Sequence, residues 1–358
     1  WDVSQCGLPV IFIEIDGCKQ LSAYFTARAK AVSVNSGPEA WLLHDGRAGH
    51  WRQVSALAHF LPVECSVHPV QVKPPWRWFA PYRFPGGLPA HADLLPASAA
   101  PPTVIISCGR RSALAARWLN QHFGGQPKTV QILDCGLSPG RFTWVIAPRH
   151  DRLQGENVVV TTGSLNPVDE SWLARGADRS QFPSSIDGQP ELLLLGGVSR
   201  HFHFSRTWVR SILSRLRIER AGETLIIAES PRTPAWVQEE IDNVLGGFPV
   251  VRVPWVKSLP ERSAQRYRIA LACAHRIFVT ADSVNLVSEA CASGKPVHLL
   301  GADRVKGKLA RFSRRLVSEK YVFEGLPGAP AGGPAPQTRC LRETQTVADR
   351  LIASGLLS

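Results

Sequence analysis

The 358-residue chain contains no methionine, no Cys-x-x-Cys pair, no Asn-x-Ser/Thr acceptor site and no Asp-x-Asp. Its apolar runs are short: Leu192–Leu195 and Val158–Val160 fall far below the roughly 20 residues that a membrane-spanning helix needs. An integral helical membrane protein is therefore not expected. The eight cysteines (Cys6, Cys18, Cys65, Cys108, Cys135, Cys273, Cys291 and Cys340) are scattered. A disulfide framework or a zinc site is not expected from them, and a reducing cytoplasm suits them best. Neither G-x-G-x-x-G nor G-x-x-x-x-G-K-[ST] occurs, and Gly294-Lys295-Pro296 fails the second pattern at proline. A dinucleotide enzyme or a P-loop NTPase is thus disfavoured. No signal peptide is visible, because Leu8–Ile15 is short, lacks a preceding basic segment and contains Glu14. Residues 1–36 are expected to be an N-terminal extension that is not part of the working protein.

The chain does carry charge, with 41 Lys and Arg against 29 Asp and Glu, a formal net charge of +12. Its 44% apolar content is that of a globular protein, and its length predicts two domains. The charge is uneven. Gly301–Lys320 holds Arg304, Lys306, Lys308, Arg311, Arg314, Arg315 and Lys320 against Asp303 and Glu319. Lys73–Phe84 interleaves Trp, Phe and Tyr with cations. Basic faces attract nucleic acid, acidic membranes or phosphorylated substrates. No nucleic-acid module is recognisable, so nucleic acid is not an expected partner. Aromatic rings beside cations suit a membrane interface, and the interleaving also suits single-stranded nucleic acid; a solvated loop is the alternative for Lys73–Phe84.

Short apolar runs alternate with amphipathic ones. The pattern predicts strands over Trp41–His44, Val63–Val67, Thr103–Ser107, Thr129–Leu133, Trp144–Ala147 and Val158–Thr161, with helices at Trp51–Leu61 and Ser112–Asn120. Arg175–Pro190 lacks periodicity and is the expected linker. Beyond it, strands are predicted at Leu192–Leu195, Thr224–Ala228, Val250–Pro254, Arg276–Ala281 and Pro296–Leu300. Helices are predicted at Ser205–Ile218, from Pro234 (capped by Thr233) to Gly246, from the cap Ser283 to Gly294, and at Glu343–Ser354. Gly325–Gln337 reads as a loop. The fold class is α/β, two parallel sheets with helices on both faces.

Ligands of such sheets bind beyond the carboxyl ends of the strands, where turns feed helix N-termini. Four turns fit that position. His44-Asp45-Gly46-Arg47-Ala48-Gly49-His50 offers two glycines for close backbone approach and a histidine that can act as general base; a plain turn with a surface histidine fits equally well. Cys108-Gly109-Arg110-Arg111 places two cations at a helix start, against the dipole, which an anionic ligand or a neighbouring carboxylate would explain, with a solvated surface pair as the alternative. Gly196-Gly197 follows a strand directly and suits a diphosphate held by backbone amides. Thr280-Ala281-Asp282-Ser283 leads into a helix carrying Ser288-Glu289 and ending at Gly294-Lys295-Pro296. Glu289, two turns along, suits a carboxylate accepting two hydrogen bonds from a ribose diol, with an exposed glutamate as the alternative. Ser230-Pro231-Arg232-Thr233 adds a polar loop in the same half. Gly136-Leu137-Ser138-Pro139-Gly140 fits the nucleophile-elbow pattern G-x-S-x-G, but a strand rather than a helix is predicted after it, so a serine hydrolase is disfavoured.

These segments occur in one order, from Asp45-Gly46-Arg47-x-Gly49-His50-x-x-Gln53 through Cys108-Gly109-Arg110-Arg111, Pro148-x-His150-Asp151 with Asn157-Val158 and Thr161, Gly196-Gly197, Ser230-x-Arg232-Thr233-Pro234 and Asp282-Ser283 with Ser288-Glu289-Ala290, to Glu343-Thr344 with Val347-Ala348. In that order they resemble the Elm-type mitochondrial fission family, in a bacterial form, over about Glu39 to Ile352. Pro231 departs from the pattern, which has arginine there. The bacterial group in turn resembles GT-B glycosyltransferases, which are built of two Rossmann-like, doubly wound domains facing a cleft.

The resemblance implies a metal-independent glycosyltransferase that uses a nucleotide-diphosphate sugar, needs no cofactor and acts on an envelope glycoconjugate acceptor. It implies an acceptor domain over residues 37–180, a nucleotide-sugar domain over 181–340 and a C-terminal helix over 341–358. His50, or else Asp45, would deprotonate the acceptor. Gly46, Gly49, Arg110, Arg111, His150 and Asp151 would bind it. Gly196, Gly197, Ser230, Arg232, Thr233, Asp282, Ser283 and Glu289 would hold the donor, Glu289 at the ribose. The expected location is the cytoplasm, with peripheral attachment to an anionic inner-membrane surface or a lipid-linked acceptor. A non-catalytic membrane-recruitment adapter and a nucleotide-sugar epimerase remain the alternatives.

Overall fold

The computed structural model describes residues 37–72, 74, 76–82, 100–176, 188–219, 224–256, 258, 260–327 and 338–358. The extension 1–36, most of the expected linker and most of the Gly325–Gln337 loop lie outside the described residues.

Two compact units are present. One runs to Pro167 and regains Glu343–Ser358; the other is Val168–Arg342. The division therefore falls earlier than the expected linker, and the last helix belongs to the first unit rather than standing apart. Apolar packing explains both differences. Val168 and Trp172 are buried in the core of the second unit, where the Arg268 guanidinium lies 5.1 Å from the Trp172 ring centroid. Val347, Ala348, Leu351 and Leu356 are buried with Val54, Leu57 and Ala58 in the first.

The N-terminal unit holds β1 (Glu39–His44), α1 (Ala48–His59), β2 (Glu64–Pro69), the short α2 (Trp76–Phe79), β3 (Val104–Cys108), α3 (Gly109–His122), β4 (Lys128–Ile132), β5 (Trp144–Pro148) and β6 (Val158–Thr161). The C-terminal unit holds α4 (Glu170–Ala174), β7 (Glu191–Leu195), α5 (Arg206–Glu219), β8 (Leu225–Glu229), α6 (Trp236–Leu245), β9 (Val250–Val253), α7 (Pro260–Cys273), β10 (Arg276–Thr280), α8 (Val284–Ala292), β11 (Val297–Leu300), α9 (Lys308–Ser318) and β12 (Phe323–Glu324). The chain closes with α10 (Glu343–Ala353).

Both sheets are six-stranded and parallel, in the orders β2-β1-β3-β4-β5-β6 and β12-β11-β10-β7-β8-β9. Parallel strands covered on both faces become continuous apolar runs. Every residue of β3 and of β7 is buried, and Glu191 in β7 is neutralised by Arg276 at 3.0 Å. In each sheet the chain starts in the interior and reverses direction once, beside β1 and beside β7. The switch points lie between β1 and β3 and between β7 and β10, where open α/β sheets take ligands.

Four helices were not legible in the apolar pattern: the short α2, α4, α7 and α9. The α4 segment is a single short turn in which only Trp172 is buried. The charged first half of α7 hides its apolar face. In α9 the cations mask Leu309, Phe312 and Leu316, which are buried at i, i+3 and i+7. Pro139–Arg141 forms a 3-10 turn that leads into β5, so the nucleophile-elbow arrangement is absent.

Candidate functional site

Each switch point carries a polar cluster within its own unit. In the N-terminal unit β1 ends at His44, and Gly46, at φ +79°, turns the chain toward α1. The Gly46 N–H donates to His44 Nδ1 at 3.2 Å, so that nitrogen is an acceptor. Burial of His44, augmented by His50 and opposed by Asp45, pushes its pKa down to about 4, so it is neutral at physiological pH. The buried Asp45 carboxylate reaches His50 Nδ1 at 2.8 Å. Burial raises the Asp45 pKa, but the hydrogen bond and charge of His50, with the charge and backbone N–H of Arg47, outweigh that and hold it below the usual carboxylate range. Asp45 therefore orients the imidazole, fixing Nδ1 as its partner and leaving Nε2 for chemistry.

The other side of the His50 ring lies against Gly109, the first residue of α3. A Cβ on Gly109 would fall 2.4 Å from His50 Cε1, and the residue sits at φ +81°. Only glycine satisfies both conditions. Nothing in the sequence marks Gly109 as the wall of the histidine. Arg110 is exposed and Arg111 half-buried in a first helical turn that contains no acidic residue. Gly49 lies in the first turn of α1, its carbonyl accepting from Gln53 Nε2 at 3.3 Å. His150 and Asp151 stand in a 3-10 turn after β5, with Nε2 and Oδ1 4.0 Å apart. Two strand spacings, roughly 10 Å, separate β5 from β3. The structure thus gathers Asp45, Gly46, His50 and the Gly109–Arg111 turn, and sets His150 and Asp151 further along the same edge.

In the C-terminal unit the cluster centres on Asp282, whose side chain is 0% exposed. Its carboxylate accepts from Gly197 N at 2.9 Å, Thr280 Oγ1 at 2.6 Å and Arg232 Nη2 at 2.8 Å. Burial raises its pKa, and those three partners offset only part of the rise. Gly196 N–H donates to Thr280 Oγ1 at 2.8 Å. A Cβ on Gly196 would fall 2.0 Å from Asp282 Oδ1, and one on Gly197 2.0 Å from the Arg232 carbonyl oxygen. The glycine pair is required because an aspartate and a neighbouring loop pack on it. Its two amides, expected to hold a diphosphate, are already bonded to Thr280 and Asp282.

Thr233 does not cap α6. Its hydroxyl donates toward the carbonyls of Leu195 and Gly196 and accepts from Ser230 N at 2.9 Å, tying the loops after β7 and β8 together. Ser230 Oγ accepts from Arg232 N at 3.2 Å. Ser283 does cap α8, accepting from Leu286 N at 3.5 Å. Glu289 is 2% exposed and accepts from the Tyr267 hydroxyl at 2.6 Å, so it is a buried residue rather than an exposed one. Tyr267 lies in a helix the sequence did not reveal, so this partner had no signal. Among the described residues, no helix is long and apolar enough to cross a membrane, and no three His, Cys, Asp or Glu side chains are grouped to hold a metal ion.

The family model described as Mitochondrial fission ELM1 matches residues 48–354. The mitochondrial fission protein ELM1 of Arabidopsis thaliana is 30% identical over 254 residues, an alignment that covers 63% of this chain and 58% of the plant protein. The chain thus matches little more than half the length of that relative. An uncharacterized protein of Rickettsia prowazekii is 25% identical over 260 residues, covering 62% of this chain and 71% of that protein. Among solved structures, UDP-GlcNAc 2-epimerase from Neisseria meningitidis bound to UDP-GlcNAc superposes with a TM-score of 0.53 at 12% identity, covering 88% of this chain and 99% of that one. This last likeness is one of fold, two Rossmann-like domains of the GT-B type. With 48–354 matched, the chain belongs to the mitochondrial fission ELM1 family.

Proposed function

We propose that the chain is a metal-independent glycosyltransferase acting on a nucleotide-diphosphate sugar. The observation that carries this reading is the Asp282–Arg232 cluster at the β7/β10 switch point, where a buried carboxylate fixes a guanidinium that is itself 42% exposed. A carboxylate-anchored arginine at that position is preorganised for an anionic group. In this reading Arg232, with the Ser230–Thr233 loop and Ser283, meets the diphosphate. Glu289 meets the ribose by exchanging the Tyr267 hydroxyl for the ribose diol. The N-terminal unit supplies the base. His50 Nε2 takes the proton of the acceptor hydroxyl, whose oxygen forms a bond to the anomeric carbon as the sugar–phosphate bond breaks. The nucleoside diphosphate leaves with that electron pair. Asp45 stabilises the imidazolium that forms, and Arg110 and Arg111 suit an acceptor bearing phosphate.

Trp78, Phe79 and Tyr82 are 69%, 46% and 57% exposed beside Arg77. This supports an acceptor that is lipid-linked or lies at an anionic membrane surface. The same segment favours the adapter as the second reading.

Purified protein is screened against a panel of nucleotide sugars by thermal shift. Stabilisation by at least one of them, lost in Arg232→Ala, is the expected result. No shift with any of them would favour the adapter. Unchanged nucleotide-sugar binding in Glu289→Ala would remove the ribose role, and product analysis separates transfer from epimerisation.

A further inference from the structure

The loop leaving β7 is built as a rigid platform. Along it Phe202 and Phe204 are buried, whereas Arg200, His201 and His203 are exposed. Ser199 and Phe202 close a tight antiparallel turn, and Phe202 bridges Val305 in the loop after β11. Lys306 N donates to the His201 carbonyl at 3.2 Å. Underneath, the Phe202 and Phe204 rings pack on Trp208 at centroid distances of 5.0 and 5.7 Å. Gly301, at φ +74°, lets them approach, since a Cβ there would fall 2.8 Å from Trp208 and 2.9 Å from Phe202.

Antiparallel pairing of Phe202 with Val305 sets His201 directly across from Lys306, on the face opposite the two buried side chains. Arg200 stands beside them at the tip of the turn. The other cations of these loops are occupied. Arg206 pairs with Glu239 and Glu240, and Arg304 lies over Trp208 at 5.6 Å. Neither Arg200 nor Lys306 has an ion-pair partner among the described residues, and the nearby acid in the same loop, Asp303, is exposed. The root of the platform touches the candidate donor cluster, with Arg232 Nη1 3.5 Å from the Val198 carbonyl oxygen. Cations concentrated on a stiff base without a carboxylate partner favour an anionic ligand.

We propose that Arg200, His201 and Lys306 form a phosphate-binding rim that holds the diphosphate of a nucleoside-diphosphate ligand. They do what the amides of Gly196 and Gly197, bonded to Thr280 and Asp282, do not. The nucleoside part of this proposal rests on the nucleotide-sugar reading above; the rim itself is tested separately.

Calorimetric titrations of the full chain with UDP, uridine and inorganic pyrophosphate are compared between wild type and the Arg200→Ala/Lys306→Ala double variant. Both side chains are exposed, so the fold is expected to survive, as circular dichroism would verify. The expected result is about tenfold or greater weakening for UDP and pyrophosphate, with uridine unaffected. Pyrophosphate binding that is lost in the double variant, with no UDP binding to wild type, would support the rim and overturn the nucleotide reading. UDP binding that is lost in Arg232→Ala but kept in the double variant would overturn the rim and leave the nucleotide reading intact. Wild type binding neither UDP nor pyrophosphate would overturn both.

Discussion

Replacing Asp282 with alanine tests whether the β7/β10 cluster is held by that one carboxylate. The substitution removes the acceptor for the Gly197 N–H and for the Thr280 hydroxyl proton, both buried, and the partner of Arg232. A buried donor left without an acceptor costs about 1–3 kcal/mol. Arg232 is 42% exposed and rehydrates, so its lost ion pair adds little. Relief of the buried charge returns part of the loss. The net expectation is destabilisation of about 2–4 kcal/mol.

Asp282→Asn keeps the shape and one acceptor oxygen, but its amide faces a donor, so about 1–2 kcal/mol is expected. The sign of the pH dependence follows from the raised pKa. A carboxylate whose folded value lies above its unfolded value of 3.8 stabilises the fold fully below that value. That stabilisation is lost as pH rises through the folded value. The gap between wild type and Asp282→Asn should therefore be widest in acid and narrow toward neutrality. Calorimetric melts at several pH values read both effects, resolving the transition of the C-terminal unit. Asp282→Ala within about 0.5 kcal/mol of wild type at neutral pH would refute the reasoning, because the three hydrogen bonds would then carry no net stability.

Gly109→Ala is expected to destabilise by about 1–3 kcal/mol more than Gly46→Ala, since both share a positive φ but only Gly109 has His50 within reach of a Cβ; thermal melts and the histidine NMR resonances check this together. Glu343 accepts the N–H groups of Thr162 at 2.7 Å and Gly163 at 2.8 Å, so Glu343→Ala should cost about 2–4 kcal/mol and make α10 a site of limited proteolysis. Cleavage no faster than in wild type would count against that anchor. Asp45, with its pKa depressed, contributes stability above the unfolded carboxylate range that is lost as pH falls through its folded value. Asp45→Asn should accordingly be destabilising at neutral pH and converge on wild type in acid, as followed by chemical denaturation.

The apolar pattern was enough to place most strands, because buried parallel strands such as Val104–Cys108 and Leu192–Leu195 have no other way to be written. It failed where charge overlies the apolar stripe, as in Lys308–Ser318, and where a helix is one turn with a single buried residue, as at Trp172. The unit boundary was hidden as well. Nothing local to Glu343 says that its carboxylate caps backbone amides about 180 residues earlier. In the candidate site, the turns were legible because strand ends and helix starts are, and the association of Asp45 with His50 was within reach of their five-residue spacing. Gly196-Gly197 was legible only in half. A glycine pair announces that something approaches the backbone closely, but not whether that something is a ligand or the protein itself. Here it is Asp282 on one glycine and the Arg232 backbone on the other. The amides of Gly196 and Gly197, thereby satisfied, cannot also be the principal phosphate donors. In the proposed reading phosphate recognition falls to Arg232 and to the cations of the aromatic platform beside it.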